Sequence, residues 1–345
     1  MQRIEFGQAR RTFAFGAYGT NNVGYEAIFE GVCQCIPGAI QIYTHKPCVE
    51  PSVGLHTLLR STNRFRSDDR LIIGGGGVWE DEDAVKTQLD LATRVKAAGG
   101  MVEILGVGAE GADASYYDLI RELVDLAHRI TVRSTMSQYF VQKITGRFAH
   151  WQNDFGSEIS FSEPAPALVV SEIPQIGVVT CGNVDEDISG LARAIQHYTG
   201  PDAEGGRVHF VHIPHSRSYV SLQNNDVAVG HALWSSIAID KENRPIFFDL
   251  EPFNVDPASV LERYASLDGV VTQRLHGMIF AQVVGIPSLT LNASSAKNRS
   301  FLEDSVLARR FAAYSQTDIM SSMEGFIDHV RRTKQLGSRL NRTTK

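Results

Sequence analysis

Cysteine is scarce in this chain. Four residues in 345 (Cys33, Cys35, Cys48 and Cys181) are too few and too irregularly spaced for a disulfide framework. Cys33-x-Cys35 has no matching second pair, so buried thiols fit better than a metal site. Long apolar runs are also missing. Nothing approaches transmembrane length, and Met1-Gln2-Arg3-Ile4-Glu5-Phe6 lacks the apolar core of a signal peptide. Positive charge is in deficit: 33 Lys and Arg against 39 Asp and Glu leave a net charge of −6, with no general attraction to nucleic acid. A cytoplasmic protein with no nucleic-acid partner is expected. No metal cluster is expected either. His209, His212 and His215 recur at spacing three, and side chains that alternate along a strand cannot all face one side. The common phosphate loops are absent or weak. Residues 16–24 lack the Gly-x-x-x-x-Gly-Lys-Ser/Thr pattern, which argues against that type of ATP binding. Gly106 to Gly111 matches Gly-x-Gly-x-x-Gly, but on a fourth strand. The next strand ends in Arg133 where a dinucleotide site needs an acid, so no nicotinamide cofactor is expected.

What is present is a repeated alternation of short apolar runs and amphipathic segments. The length suits two domains, each large enough for its own core. In the first half, strands fit 12–15, 39–43, 70–73, 102–107 and 130–133, with helices over 83–98, 115–127 and 137–144. Pro-rich residues 162–166 and 172–174 mark a linker. A second series follows, with strands at 176–179, 208–213, 245–248, 269–272 and 287–291. Its helices fit 187–197, 227–239, 257–266 and 278–284. The expected fold is α/β: two doubly wound, Rossmann-like parallel-sheet domains (1–165 and 166–329) facing a cleft, like a glycosyltransferase-B enzyme, and a basic tail over 330–345.

The candidate chemistry gathers where strands end and helices begin. Arg274 and His276 stand between an apolar strand and an apolar helix, where open α/β sheets bind ligands and a helix N-terminus favours anions. A guanidinium fork beside an imidazole suits a phosphate or carboxylate that must be gripped and protonated. Gly74 to Gly77 form a second such exit, where Gly75 and Gly76 could admit a ligand to backbone N–H groups. Glu80 and Asp81 behind them are candidate bases for sugar hydroxyls, or simply the charged start of a helix. Asn21 and Asn22, in the glycine-bearing loop after the first strand, offer neutral donors and acceptors. Arg133 could supply a second cation facing Arg274, and His215 with Arg217 could reach the cleft.

Several motifs, taken in order, resemble the polysaccharide pyruvyl transferase family. They are residues 16–24 followed by Glu26-Ala27-Ile28, Asp69 to Gly77, Ile130 to Arg133 with Ser137, and Asp154-Phe155. Ile213-Pro214 with Asp226, Arg274-Leu275-His276, and Gly285-Ile286-Pro287 with Lys297 and Phe301-Leu302 complete the series. The resemblance implies transfer of the pyruvyl group of phosphoenolpyruvate, a co-substrate rather than a cofactor, to a sugar or lipid-linked glycan as a pyruvate ketal. It implies that Arg133, Arg274 and His276 hold phosphoenolpyruvate, with Lys297 beside them. His276 would deliver a proton and a carboxylate such as Asp81 would take one; no cofactor or metal is required. Tyr25 and Ser134 depart from the family pattern, which keeps a catalytically silent sugar-binding member open beside a nucleotide-sugar glycosyltransferase of the same architecture. The segment from Val330 to Lys345 carries Arg331, Arg332, Lys334, Arg339, Arg342 and Lys345 and no acid. It reads either as a frayed terminus or as a weak, salt-sensitive tether to the inner face of a membrane.

Overall fold

The computed structural model describes residues 11–44, 47, 50–60, 65–159, 171–182, 184–199, 207–218, 224–238, 247–305 and 311–343. They fall into two compact units, Met1–Ile159 and Ser160–Lys345. The division precedes the expected one at 165, and the Pro-rich residues 162–166 lie outside the described residues.

The first unit runs β1 (Arg11–Phe15), α1 (Val23–Cys35), β2 (Ala39–Tyr43), β3 (Ser52–Gly54), α2 (Leu55–Arg60), β4 (Asp69–Gly76) and α3 (Glu82–Ala97). It continues through β5 (Met101–Val107), α4 (Tyr117–Leu126), β6 (Arg129–Val132), α5 (Thr135–Thr145) and β7 (His150–Trp151) to a 3-10 turn at Phe155–Ser157. All strand pairs are parallel, in the order β3-β2-β1-β4-β5-β6-β7. Strand β4 is buried at every position, as a strand covered on both faces should be. Leu71 and Ile73 join one core with Leu91 and Val95 of α3 and Ile120 and Val124 of α4. Ile72 points the other way and packs with Ala14, Leu105 and the Ile28, Phe29 and Val32 stripe of α1. The turn at Phe155 closes that second face: a Cβ on Gly31 of α1 would lie 2.0 Å from the Phe155 carbonyl oxygen. Edge strands β3 and β7 were not expected, because three and two residues are too few to show a period of two.

The glycine run does not follow β4 as the expected loop but largely belongs to it, with Gly74, Gly75 and Gly76 at φ of 133°, 76° and 84°. A Cβ would meet the Leu105 carbonyl oxygen at 2.3 Å from Gly74, the Ile28 side chain at 2.1 Å from Gly75 and the Tyr25 ring at 3.0 Å from Gly76. The run therefore lets α1 and β5 approach β4, and packing occupies the space expected for a ligand.

The second unit runs β8 (Gln175–Val179), α6 (Val184–Thr199), β9 (His209–His212), α7 (Asp226–Ala238), β10 (Phe248–Leu250) and α8 (Pro257–Ala265). Next come β11 (Gly269–Thr272), α9 (Leu275–Val284), β12 (Ser288–Thr290), α10 (Ala296–Asp304) and α11 (Ile319–Thr343). Its parallel sheet has the order β10-β9-β8-β11-β12, so the winding reverses between β8 and β11. Exit loops of two such strands diverge and leave a crevice at their carboxyl ends. Helix α9 stops at Gly285, whose φ of 77° supplies the left-handed cap.

The basic segment is not a tail. It continues α11, whose Met323, Phe326, Ile327 and Val330 are buried in the core of the second unit. Lys334 Nζ bonds Asp268 at 2.6 Å, Arg331 lies over the Tyr198 ring at 5.8 Å, and Arg332 Nε donates to the Asp328 carbonyl at 3.1 Å. Half of the six basic residues are thus engaged within the fold, and the side chains of Arg339, Arg342 and Lys345 lie outside the described residues. No described helix is long and apolar enough to cross a membrane.

Candidate functional site

In the second unit, the carboxyl edge of the sheet is organised by a buried acid. Asp226 opens α7, has no side-chain exposure, and takes both branches of the Arg274 guanidinium: Nε to Oδ2 at 2.7 Å and Nη2 to Oδ1 at 2.5 Å. The backbone N–H groups of His215 and Ser216 also donate to Oδ2, each at 3.0 Å. Burial presses the Asp226 carboxyl pKa upward, against the pull of Arg274 and these two donors. One carboxylate therefore fixes the exit of β9 to the exit of β11. Arg274 is the N-cap residue of α9, and no side chain caps that helix. Its first turn keeps the N-terminal partial positive charge beside the guanidinium.

His276 stands in that first turn, half-buried, with its ring 6.3 Å from Phe280 one turn later. His215 packs on Phe280 as well, centroid to centroid 5.4 Å, and its Nε2 is 2.8 Å from the Tyr264 hydroxyl. His215 is completely buried, so it does not reach ligand as expected. Burial first, then the charges of Arg274 and His276, hold its pKa well below 6.5. Its Nδ1 has no hydrogen-bond partner among the described residues. The imidazole is therefore a neutral wedge behind Arg274 and His276. Arg217 pairs its backbone with Asn225 and stands on the same β9 exit.

Two amides complete this edge. Gln273 Oε1 accepts from the Cys181 N–H at 2.8 Å, tying the exit of β8 to that of β11. Asn298 is buried in α10 and donates to the carbonyls of Gln273 (3.1 Å), Leu291 (3.3 Å) and Asn292 (3.3 Å). Lys297 is the neighbour of Asn298 in the first turn of α10. Sequence reasoning missed Gln273, Asn298 and Tyr264 as organisers. Each bonds residues remote in sequence, and no local spacing announces that.

In the first unit, Arg133 stands directly after the carboxyl end of β6. Its side chain is 5% exposed and lies between Glu110 (3.5 Å) and Asp154 (3.3 Å). Burial alone would lower its pKa, but Glu110 and Asp154 outweigh that and raise it. Glu110 is held below its usual value: burial opposes this, but Arg133 and the hydroxyls of Ser134 and Ser137 prevail. Ser134 Oγ donates to Glu110 at 2.7 Å and caps α5. A cation enclosed by two carboxylates is neutralised, so Arg133 organises loops here and is not presented as an anion grip. The Gly-x-Gly-x-x-Gly match is explained at the same spot, since a Cβ on Gly108 would fall 2.3 Å from that guanidinium.

The remaining expected residues separate. Asp81 is the N-cap of α3, its Oδ1 accepting from the Ala84 N–H at 2.8 Å, and Asn22 caps α1 by accepting from Gly24 at 3.0 Å. Asn21 takes φ of 55°, a value asparagine tolerates, beside that cap. Helix capping thus accounts for Asp81 and Asn22. Glu80 is exposed at the exit of β4, packed along Gly111 and electrostatically coupled to Arg133. The three spaced histidines have three unlike surroundings: His209 pairs with Asp249 at 2.8 Å, His212 bonds Thr180 at 2.9 Å, and His215 bonds Tyr264. No group of three His, Cys, Asp or Glu able to hold a metal occurs among the described residues.

Residues 209–295 match the family model described as "Polysaccharide pyruvyl transferase", about a quarter of the chain and the part that contains Asp226, Arg274 and His276. A comparison with curated proteins finds no match. Among solved structures, S. aureus MnaA in complex with UDP has 9% sequence identity and a TM-score of 0.58, covering 92% of this chain and 87% of its own. An alpha-glucosyltransferase in complex with UDP and DNA has 12% identity and a TM-score of 0.54 over 95% of this chain and 92% of its own. UDP-GlcNAc 2-epimerase from Neisseria meningitidis bound to UDP-GlcNAc has 10% identity and a TM-score of 0.54 over 93% and 92%. At such identities the likeness concerns the fold: two parallel-sheet α/β domains of the glycosyltransferase-B type.

Proposed function

We propose that this protein is a phosphoenolpyruvate-dependent pyruvyl transferase that builds a cyclic pyruvate ketal on a sugar hydroxyl pair. The observation that carries the reading is the Asp226-clamped Arg274 at the uncapped N-terminus of α9, beside His276 and inside the matched segment. Guanidinium and helix N-terminus together favour a dianionic ligand over a neutral one. In the proposed reaction, a proton passes to the methylene carbon of phosphoenolpyruvate and C2 becomes electrophilic. A sugar hydroxyl adds to C2 and loses its proton; a second hydroxyl then displaces inorganic phosphate and closes the ketal. His276 is assigned as proton donor, and Arg274 and Lys297 as the cations that stabilise carboxylate and departing phosphate. Asp81, which caps α3, is not assigned as the base.

The likeness to nucleotide-sugar enzymes favours a second reading, in which the same cationic edge holds a nucleoside diphosphate. The two readings separate on the leaving group. Inorganic phosphate released from phosphoenolpyruvate in the presence of glycan precursors supports the first. Nucleotide released from sugar nucleotides, with phosphoenolpyruvate untouched, would replace it. Sugar binding without turnover of either donor would identify a silent binding protein.

A further inference from the structure

The far edge of the first unit carries a surface that the proposed reaction does not use. Strand β7 is the last strand of its sheet, and Tyr139 (67% exposed) on α5, Phe148 (59%) in the connection after it and Trp151 (50%) on β7 stand along this edge. Gln138 Nε2 donates to the Ala149 carbonyl at 2.7 Å, so α5 and β7 are bound together beside these rings. Phe148 packs on His150 edge-to-face at 5.2 Å, while Trp151 points to the opposite side of the pleat, the side on which Ala149 is buried. The rings thus flank, from both faces, a strand edge on which no further described strand pairs. Three large rings held out in water on one short stretch mark an interaction surface.

Its charge says what it would meet. From Ser134 to Asn153 the chain has no Asp or Glu, in a protein of net charge −6, and it carries Lys143, Arg147 and His150. Lys143 and His150 are exposed; Arg147 is half-buried, with its guanidinium donating to the Ala127 carbonyl at 2.8 Å. Arg121 of α4 reaches the same region, donating to the Ile144 carbonyl at 2.9 Å, and is itself ion-paired with Asp118. Amphipathic rings beside the exposed Lys143, on a stretch with no acid of its own, match the boundary between headgroups and acyl chains of an anionic bilayer. There the rings enter the interface while the cations remain with the phosphates.

We propose that the α5–β7 edge is a peripheral docking surface for anionic lipid bilayers. The basic C-terminal segment is then not the tether, since much of it is engaged in α11. The inference stands independently of the reaction assigned above, because lipid binding is read without turnover.

The three tryptophans supply the test. Trp79 is fully buried and Trp234 is the other exposed one, so in full-length Trp234→Phe the lipid-sensitive emission comes from Trp151. With vesicles containing phosphatidylglycerol, that emission should shift to the blue and be quenched by brominated acyl chains. Pure phosphatidylcholine vesicles, or high salt, should abolish both effects. The double variant Phe148→Ser/Trp151→Ser should weaken co-sedimentation by roughly tenfold or more. Lys143→Glu should weaken it by roughly fivefold or more. Circular dichroism would verify that both variants remain folded. Binding without quenching of Trp151, equal binding to neutral vesicles, or binding unaffected by both variants would overturn the proposal. So would a dimer dispersed by Phe148→Ser/Trp151→Ser with no vesicle binding, which would give the edge to a second copy of the chain.

Discussion

Acidification should destabilise this protein through His212. The ring lies in the interior of the second unit, 1% exposed, with Nε2 2.9 Å from Thr180 Oγ1 and its other side against Gly230 of α7. Burial lowers its pKa from 6.5 to about 3, with a smaller push from His231. Below pH 6.5 the unfolded chain therefore takes up a proton that the folded chain refuses. The stabilising contribution is complete above pH 6.5 and is lost as pH falls toward 3. Between pH 7 and 5 the loss is about 2 kcal/mol, a large share of ordinary domain stability. His215, whose pKa is also depressed by burial, acts in the same direction. Urea unfolding of wild type and His212→Gln at half-unit pH steps isolates the effect, because their difference cancels every other titrating group. Glutamine keeps a polar group near Thr180 but cannot be protonated. The variant should be the less stable at pH 7, and the gap should narrow by about 2 kcal/mol at pH 5. Parallel stability curves from pH 7 to 5 would refute the reasoning.

The other predictions concern the two sheet edges. Asp226→Asn should cost roughly 3–5 kcal/mol by stranding a buried guanidinium, and should also weaken phosphoenolpyruvate binding measured by calorimetry. Arg274→Ala should weaken that binding by an amount corresponding to roughly 1.5–3 kcal/mol, and Arg274→Lys should not restore it because the two-pronged geometry is lost. His276→Gln should lower kcat about a hundredfold while donor affinity falls less; equal losses would limit His276 to positioning. Arg133→Ala should lower the melting temperature of the first unit by leaving Glu110 and Asp154 facing each other, and unchanged melting with lost donor binding would return Arg133 to the donor site.

Architecture was readable because each core strand repeats a strong pattern. The solid run Leu71-Ile72-Ile73 reads as a strand covered on both faces, and the Ile120, Leu123, Val124 spacing reads as one helix face. Of the edge strands, β10 and β12 were readable from the apolar runs they belong to, whereas β3 and β7 were not, since Ser52–Gly54 and His150–Trp151 are too short to show a period. The site was half-legible. Arg274 and His276 announce themselves at a strand-to-helix junction, whereas the Asp226 clamp depends on a fold that brings residues 226 and 274 together. The glycines misled for a physical reason: a backbone without side chains admits a ligand and admits a neighbouring helix equally well. At Gly75 the neighbour is Ile28.

The 3-10 turn at Phe155–Ser157 has a consequence for synthesis of the chain. It presses the Phe155 carbonyl onto Gly31 and joins the cluster of Ile28, Phe29 and Val32 on α1. Helix α1 leaves the ribosome early, but this cover follows only after β4, β5, β6 and β7 have been made. At roughly 5–20 residues per second, the apolar stripe of α1 stays partly uncovered for on the order of ten seconds. The first unit therefore cannot reach its final packing by growing one hairpin or crossover at a time. A nascent chain arrested before residue 155 should engage chaperones through α1, and one arrested far enough beyond residue 159 for the turn to clear the exit tunnel should release them.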